Sequence, residues 1–162
     1  MTTYRSTVDS PLVNASPAPT VPASEHVRDE MVLRIPDRPA EATPDHAPHG
    51  RWVGLLRHIT AAKARQWALS SLVDDAALVV SELVTNAMRY GGGEFEFRLT
   101  LAEGQVVIAV TDSCTRPPKL SLVGPDSETG RGLLIVAALA DMWGVSPDGR
   151  TTWCSLSPRG ES

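Results

Sequence analysis

The periodicities along this chain predict an α+β sandwich: one mixed, mostly antiparallel sheet with helices layered on one face. Two observations carry that expectation. Apolar residues recur at helical spacing over residues 52–69 and again over 74–90. Two strand-like segments follow, 95–101 and 106–111, joined by the turn Ala102-Glu103-Gly104-Gln105.

Each element has its own local reason. Residues 1–30 are rich in Ser, Thr, Pro and Ala, with no periodic aliphatic residues, and read as a disordered tail. The ordered domain is expected over 31–158. Met31-Val32-Leu33-Arg34-Ile35 is a candidate strand that Pro36 stops. Residues 38–50 hold three prolines and no period, and read as a loop. Val53, Leu56, Ile59, Thr60, Lys63 and Trp67 then mark an amphipathic helix ending near Leu69. Ser71 and Asp74 have capping-box spacing before a second helix, from about Asp74 to Tyr90, which Gly91-Gly92-Gly93 ends. Phe95, Phe97, Leu99 and Leu101 alternate with polar residues as in a half-buried strand. The segment Val106–Thr111 is more apolar, hence more central, and Asp112 ends it. Residues 113–129 form a long loop with two adjacent prolines; long loops in compact domains are commonly functional. Gly130-Arg131-Gly132 opens a third helix, Leu133 to about Met142, ended by Gly144. Thr151–Leu156 is the last strand.

Composition narrows the function. With 162 residues, 42% of them hydrophobic, the chain can build one core. A net charge of −4 argues against a general nucleic-acid binder. No apolar run approaches the ~20 residues of a membrane span, and the expectation is a cytoplasmic protein that binds no membrane. Cys114 and Cys154 have no His/Cys cluster beside them, so neither a structural disulfide nor a zinc site is expected. The four histidines lack metal-ligand spacing. Trp67, Trp143 and Trp153 read as core, with Trp52 packing where the domain begins.

Three features can carry chemistry. Glu82 and Asn86 lie four residues apart, on one face of the second helix. Mg²⁺ takes oxygen ligands and keeps several waters, so one amide oxygen with phosphate oxygens suffices to hold it; the carboxylate one turn earlier can accept a proton. The same spacing also describes a solvated helix stripe. Asp112, at a strand end before a Pro-rich loop, can accept from an exocyclic amino group such as that of adenine, or simply close an Asx-turn. Gly130 and Gly132 at a helix start let backbone N–H groups approach an anion, or merely punctuate a loop. Arg89 reads as a surface charge that can reach phosphate or a partner.

Their joint order resembles the GHKL, or histidine-kinase-like, ATPase superfamily. Val79-Val80-Ser81-Glu82-Leu83-Val84-Thr85-Asn86-Ala87-Met88-Arg89-Tyr90-Gly91 resembles its N box. Glu128-Thr129-Gly130-Arg131-Gly132-Leu133-Leu134-Ile135-Val136 is similar to its second glycine box, and Asp112-Ser113-Cys114 occupies the first. The nearest likeness is to bacterial anti-sigma-factor serine/threonine kinases, over roughly residues 50–156. The resemblance implies a Bergerat-type two-layer sandwich binding ATP and Mg²⁺ under a lid, residues 113–129. It implies Asn86 as the Mg²⁺ ligand, Glu82 as the base, and Asp112 on the adenine amino group. Gly130, Arg131 and Gly132 would meet the phosphates. It also implies a homodimer whose partners are a sigma factor, an anti-sigma-factor antagonist protein, or both, with no direct nucleic-acid contact. One position departs: Cys114 stands where the first box has glycine, and a Cβ there would narrow the adenine pocket or impose a different backbone angle.

Two functions of different kind follow. One is an ATP-dependent serine/threonine kinase that phosphorylates a small antagonist protein, which Glu82 favours. The other is a non-catalytic partner-binding module with weak or structural nucleotide binding, which Cys114 favours. A sensor-kinase catalytic half lacks support, since no upstream phospho-accepting helical pair is legible.

Overall fold

A computed structural model describes residues 26–36, 48–90, 93–113 and 128–160. Its elements in chain order are β1 (Val27–Ile35), α1 (Pro48–Gln66), α2 (Val73–Tyr90), β2 (Phe95–Ala102), β3 (Gln105–Asp112), α3 (Glu128–Leu139), β4 (Met142–Val145) and β5 (Thr151–Leu156). The strands form one sheet in the order β1-β2-β3-β5-β4. The fold is α+β as expected, and every pairing among the described strands is antiparallel.

The register sorts the side chains. Met31, Leu33 and Ile35 lie opposite Leu99, Phe97 and Phe95. Phe97, Leu99 and Leu101 lie opposite Val110, Ile108 and Val106, and Ile108 and Val106 lie opposite Cys154 and Leu156. Directly opposed residues share a face, so these make one apolar face. Onto it α2 lays Ala76, Val79, Val80, Leu83, Val84 and Ala87, all buried. That is the 3-4-3-4 stripe of an amphipathic helix, and fully burying each Val or Leu contributes about 1.5–3 kcal/mol. Leu56 and Thr60 of α1 and Val136 of α3 are fully buried beside it. The opposite face of β1 and β2 carries charge instead: Arg98 bonds Glu30 at 2.9 Å and Glu96 at 3.0 Å.

The β2–β3 hairpin closes through Glu103 (φ 52°) and Gly104 (φ 77°). Two successive positive φ values are those of a type I′ turn, whose twist matches paired antiparallel strands. Only the second residue is glycine.

Several boundaries differ from the sequence expectation. β1 begins at Val27, four residues inside the expected tail. Alternation starts there, but Arg28, Asp29 and Glu30 obscure it: Arg28 and Glu30 are solvent-facing, and Asp29 faces inward as a polar latch. The Asp29 carboxylate accepts from Lys63 Nζ and Trp67 Nε1, each at 2.8 Å, tying β1 to α1. α1 starts at Pro48, inside the expected loop; proline fits a first helical position, where its missing N–H is not needed. α1 stops at Gln66, where Ala68 turns left-handed (φ 59°). The Leu69 amide bonds the Ala64 carbonyl at 2.8 Å and the Ala68 amide bonds Arg65 at 3.0 Å. That is a Schellman cap without its usual glycine, so no sequence signal marked it. The expected capping box is instead a 3₁₀ turn, Ser70–Leu72, running straight into α2, with no side-chain cap at its own N-cap.

The largest differences surround α3. It starts at Glu128, so the last two residues of the expected lid are helical, and it ends at Leu139. Met142–Val145 is an edge strand, not a helix end. Gly144 there is a packing residue rather than a helix stop: a Cβ on it would lie 3.1 Å from the Trp153 ring. Trp153 is buried, as expected of a core residue. It lies opposite Ala109 and Gly144, on the sheet face away from the helices. Trp52, Trp67 and Trp143 pack partly buried against the core. The expectations for residues 1–25, for Gly91 and Gly92, and for Cys114 and the rest of the lid to residue 127 fall outside the described residues.

Candidate nucleotide site

The site begins with the register of α2. Its buried stripe fixes the helix rotation, and Glu82 and Asn86 then fall on a half-buried flank beside that stripe. Across from this flank runs α3, and the residue that meets it is Gly132. A Cβ built on Gly132 would stand 2.6 Å from Glu82 Oε2 and 3.6 Å from Asn86 Nδ2. The first separation is well inside van der Waals contact. Glycine is therefore what lets the α3 backbone lie against the carboxylate and the carboxamide. Three of the candidate residues thus converge, from two boxes 46 residues apart in sequence (Asn86 to Gly132).

Gly132 itself is buried and sits one turn inside α3. The expectation placed it at the helix mouth, donating its N–H to an anion. Only the first four amides of a helix lack an internal acceptor. Gly132, the fifth residue of α3, lies past that first turn, and it serves close packing against Glu82. Arg131 is exposed.

Asp112 closes β3 on the helix-facing side, opposite Phe95. Its own amide donates to the Arg150 carbonyl at 2.9 Å, which fixes the strand end in the sheet. The side chain is half-buried. Thr152 was not singled out from the sequence. It lies opposite Val110, hence on the same face as Asp112 and one pleat along, and is also half-buried. The signal was the inward phase of Thr152 in the β5 alternation, a hydroxyl where the neighbouring inward positions are Cys154 and Leu156.

The donor set suits the ligand that the boxes suggest. Among the described residues no group of three or more His, Cys, Asp and Glu could cage a metal ion. Mg²⁺ does not need a protein cage; it takes one or two protein oxygens and completes its shell with phosphate oxygens and water. Asn86 and Glu82 supply hard oxygens beside the first turns of α3. Magnesium would bring charge neutralisation of the phosphates when bound. Cys154 has no place in this chemistry. It is fully buried in the middle of the sheet, and burial pushes its thiol up to about 12. It stays protonated and unreactive at neutral pH.

Comparison with known proteins agrees with this geometry. The family model for the histidine kinase-like ATPase domain matches residues 41–156, and the chain belongs to that family. It is therefore an α+β domain of the ATP-binding, ATPase and kinase type. No curated protein sequence matches the chain. β1 lies upstream of the matched segment, yet pairs along its length with β2. No helix among the described residues is long and apolar enough to cross a membrane.

Proposed function

We propose that this protein is an ATP-dependent serine/threonine kinase of the anti-sigma-factor type, acting on a small antagonist protein. The observation that carries the reading is the seat of Glu82 and Asn86 against Gly132. In this reading Glu82 is the proton acceptor and Asn86 the metal-binding amide, and the phosphate chain would lie beside the first turn of α3. In the proposed step the hydroxyl oxygen of a Ser or Thr on the antagonist attacks the γ-phosphorus of ATP. The bond from that phosphorus to the β–γ bridging oxygen breaks, ADP leaves, and Glu82 takes the hydroxyl proton. Asn86 would hold Mg²⁺, Asp112 would accept from the adenine amino group, and the first turn of α3, with Gly130 and Arg131, would meet the phosphates.

The partner assignment rests on resemblance. The proposal is a homodimer that binds a sigma factor or its antagonist, and releases the antagonist once it is phosphorylated. A phosphate adds about −2 charge at pH 7, enough to disrupt a packed interface. The test is transfer of γ-labelled phosphate to antagonists encoded beside this protein. Label on a Ser or Thr of one antagonist supports the kinase. MgATP binding without transfer to any of them supports the second reading, a non-catalytic partner-binding module, which Cys114 in place of the first-box glycine favours.

A further inference from the structure

The solvent-facing side of α1 combines basic and apolar side chains. Leu56, Thr60 and Ala64 point into the core, which turns Arg51, Leu55, His58, Ala62 and Arg65 outward; all five are exposed. Their spacing is four, three, four, three, the seam of a two-stranded helical pairing. The seam runs about 21 Å at 1.5 Å per residue. Leu55 at its middle is 45% exposed, one of the large apolar side chains left in water. The imidazole of His58 is tied to its own helix, 2.9 Å from the Gly54 carbonyl.

Charge tells what fits. The chain carries −4 overall, yet α1 contains Arg51, Arg57, Lys63 and Arg65 and no acidic residue at all. Lys63 is committed to Asp29. Among the described residues Arg51, Arg57 and Arg65 form no salt bridge. A second copy does not fit: parallel pairing would set Arg51 and Arg65 against themselves, and antiparallel pairing would set Arg51 against Arg65. Like charges face each other either way, which disfavours the pairing. A nucleic acid would match the arginines but leave Leu55 unused.

We propose that this face of α1 docks an acidic amphipathic helix of a separate protein. That helix carries apolar residues to meet Leu55 and Ala62 and carboxylates to meet Arg51 and Arg65. The proposal does not depend on the nucleotide assignment, because α1 bears none of the candidate site residues.

The test uses the full chain and a labelled synthetic helical peptide with leucines at the seam positions and flanking glutamates. Fluorescence anisotropy compares it with a scrambled peptide of the same composition, with a lysine-for-glutamate peptide, and with duplex DNA. The acidic helical peptide is expected to bind more tightly than its scramble, by at least about tenfold. R51E/R65E should lose that advantage and gain binding of the lysine peptide, while L55A weakens the acidic peptide without changing charge. Circular dichroism checks that each variant stays folded, and all three substituted side chains are exposed. Equal binding of peptide and scramble, tighter binding of duplex DNA, or a dimer that R51E/R65E dissociates in sedimentation would each overturn the proposal. Loss of ATP binding in a separate titration would leave it standing.

Discussion

Gly132 is the residue on which the site turns. Its neighbour at 2.6 Å is the far end of a flexible Glu82 side chain, so an alanine there displaces the carboxylate rather than breaking the fold. Alanine is also about 1 kcal/mol better than glycine inside a helix. Gly132→Ala should therefore leave the melting temperature unchanged or slightly higher, yet slow phosphoryl transfer by about 10²-fold or more. Calorimetric melting and single-turnover transfer, run on the same preparation, check both halves; a stable variant with wild-type transfer would remove the packing role assigned to Gly132. Glu82→Gln is the complementary change. It keeps the volume and removes the basicity, so ATP affinity should hold while transfer falls by about 10²–10⁴-fold. Wild-type turnover in that variant would show that Glu82 is not the base. At this scale the sequence was informative. The half-buried faces of Glu82, Asn86 and Asp112 were legible because periodicity fixes them. The close packing at Gly132 was not, because a contact between residues 46 positions apart, Asn86 and Gly132, leaves no local pattern.

Two elements carry testable features that sequence reading missed for definable reasons. The first is β1. Hydrogen bonds from Lys63, then Trp67, hold the Asp29 carboxyl below the usual aspartate range, and the Lys63 ammonium lies 5.6 Å from the Trp67 ring centre. A group with a lowered folded pKa stabilises the fold fully above its unfolded value, about 3.9. It loses that contribution as pH falls through the folded value. Asp29→Asn should thus lower the melting temperature by a few degrees at pH 7, and the gap to wild type should close as the pH approaches 2. A gap that persists in acid would mean that the contribution is not the carboxylate's charge. The same latch means that truncation through residue 30, harmless if those residues were all tail, should destabilise the domain. The second element is the end of α1. Ala68 holds a left-handed conformation that disfavours residues with a Cβ by about 1–2 kcal/mol. Ala68→Gly should raise stability by about 0.5–1 kcal/mol after the added entropy of the unfolded chain is counted, as urea unfolding would reveal; a loss of stability would contradict the cap. Helix ends closed by alanine, and strands opened by charged residues, are where composition misleads.

At the scale of the whole molecule, the fold class and layer order followed from periodicity alone, because amphipathic stripes and alternating strands must share one apolar interior. What periodicity did not reveal was the far edge of the sheet. β4 is four residues long, carries a glycine, and follows an apolar helix with only Ala140 and Asp141 between them, so the two read as one. The consequence for function is that α3 starts and ends earlier than expected, which puts Gly132 one turn inside the helix, in the packing against Glu82. The central claim is that this junction of α2 and α3, with Asp112 at the end of β3, is a nucleotide site. Isothermal titration of the full chain with ATP in the presence of Mg²⁺ tests it most directly. The wild type should bind with a Kd below about 1 mM, the ordinary upper bound for an enzyme's substrate. Asp112→Asn should bind about tenfold or more weakly, having lost a charge-assisted hydrogen bond. No binding heat from the wild type at millimolar ATP, with the protein shown to be folded, would contradict the account.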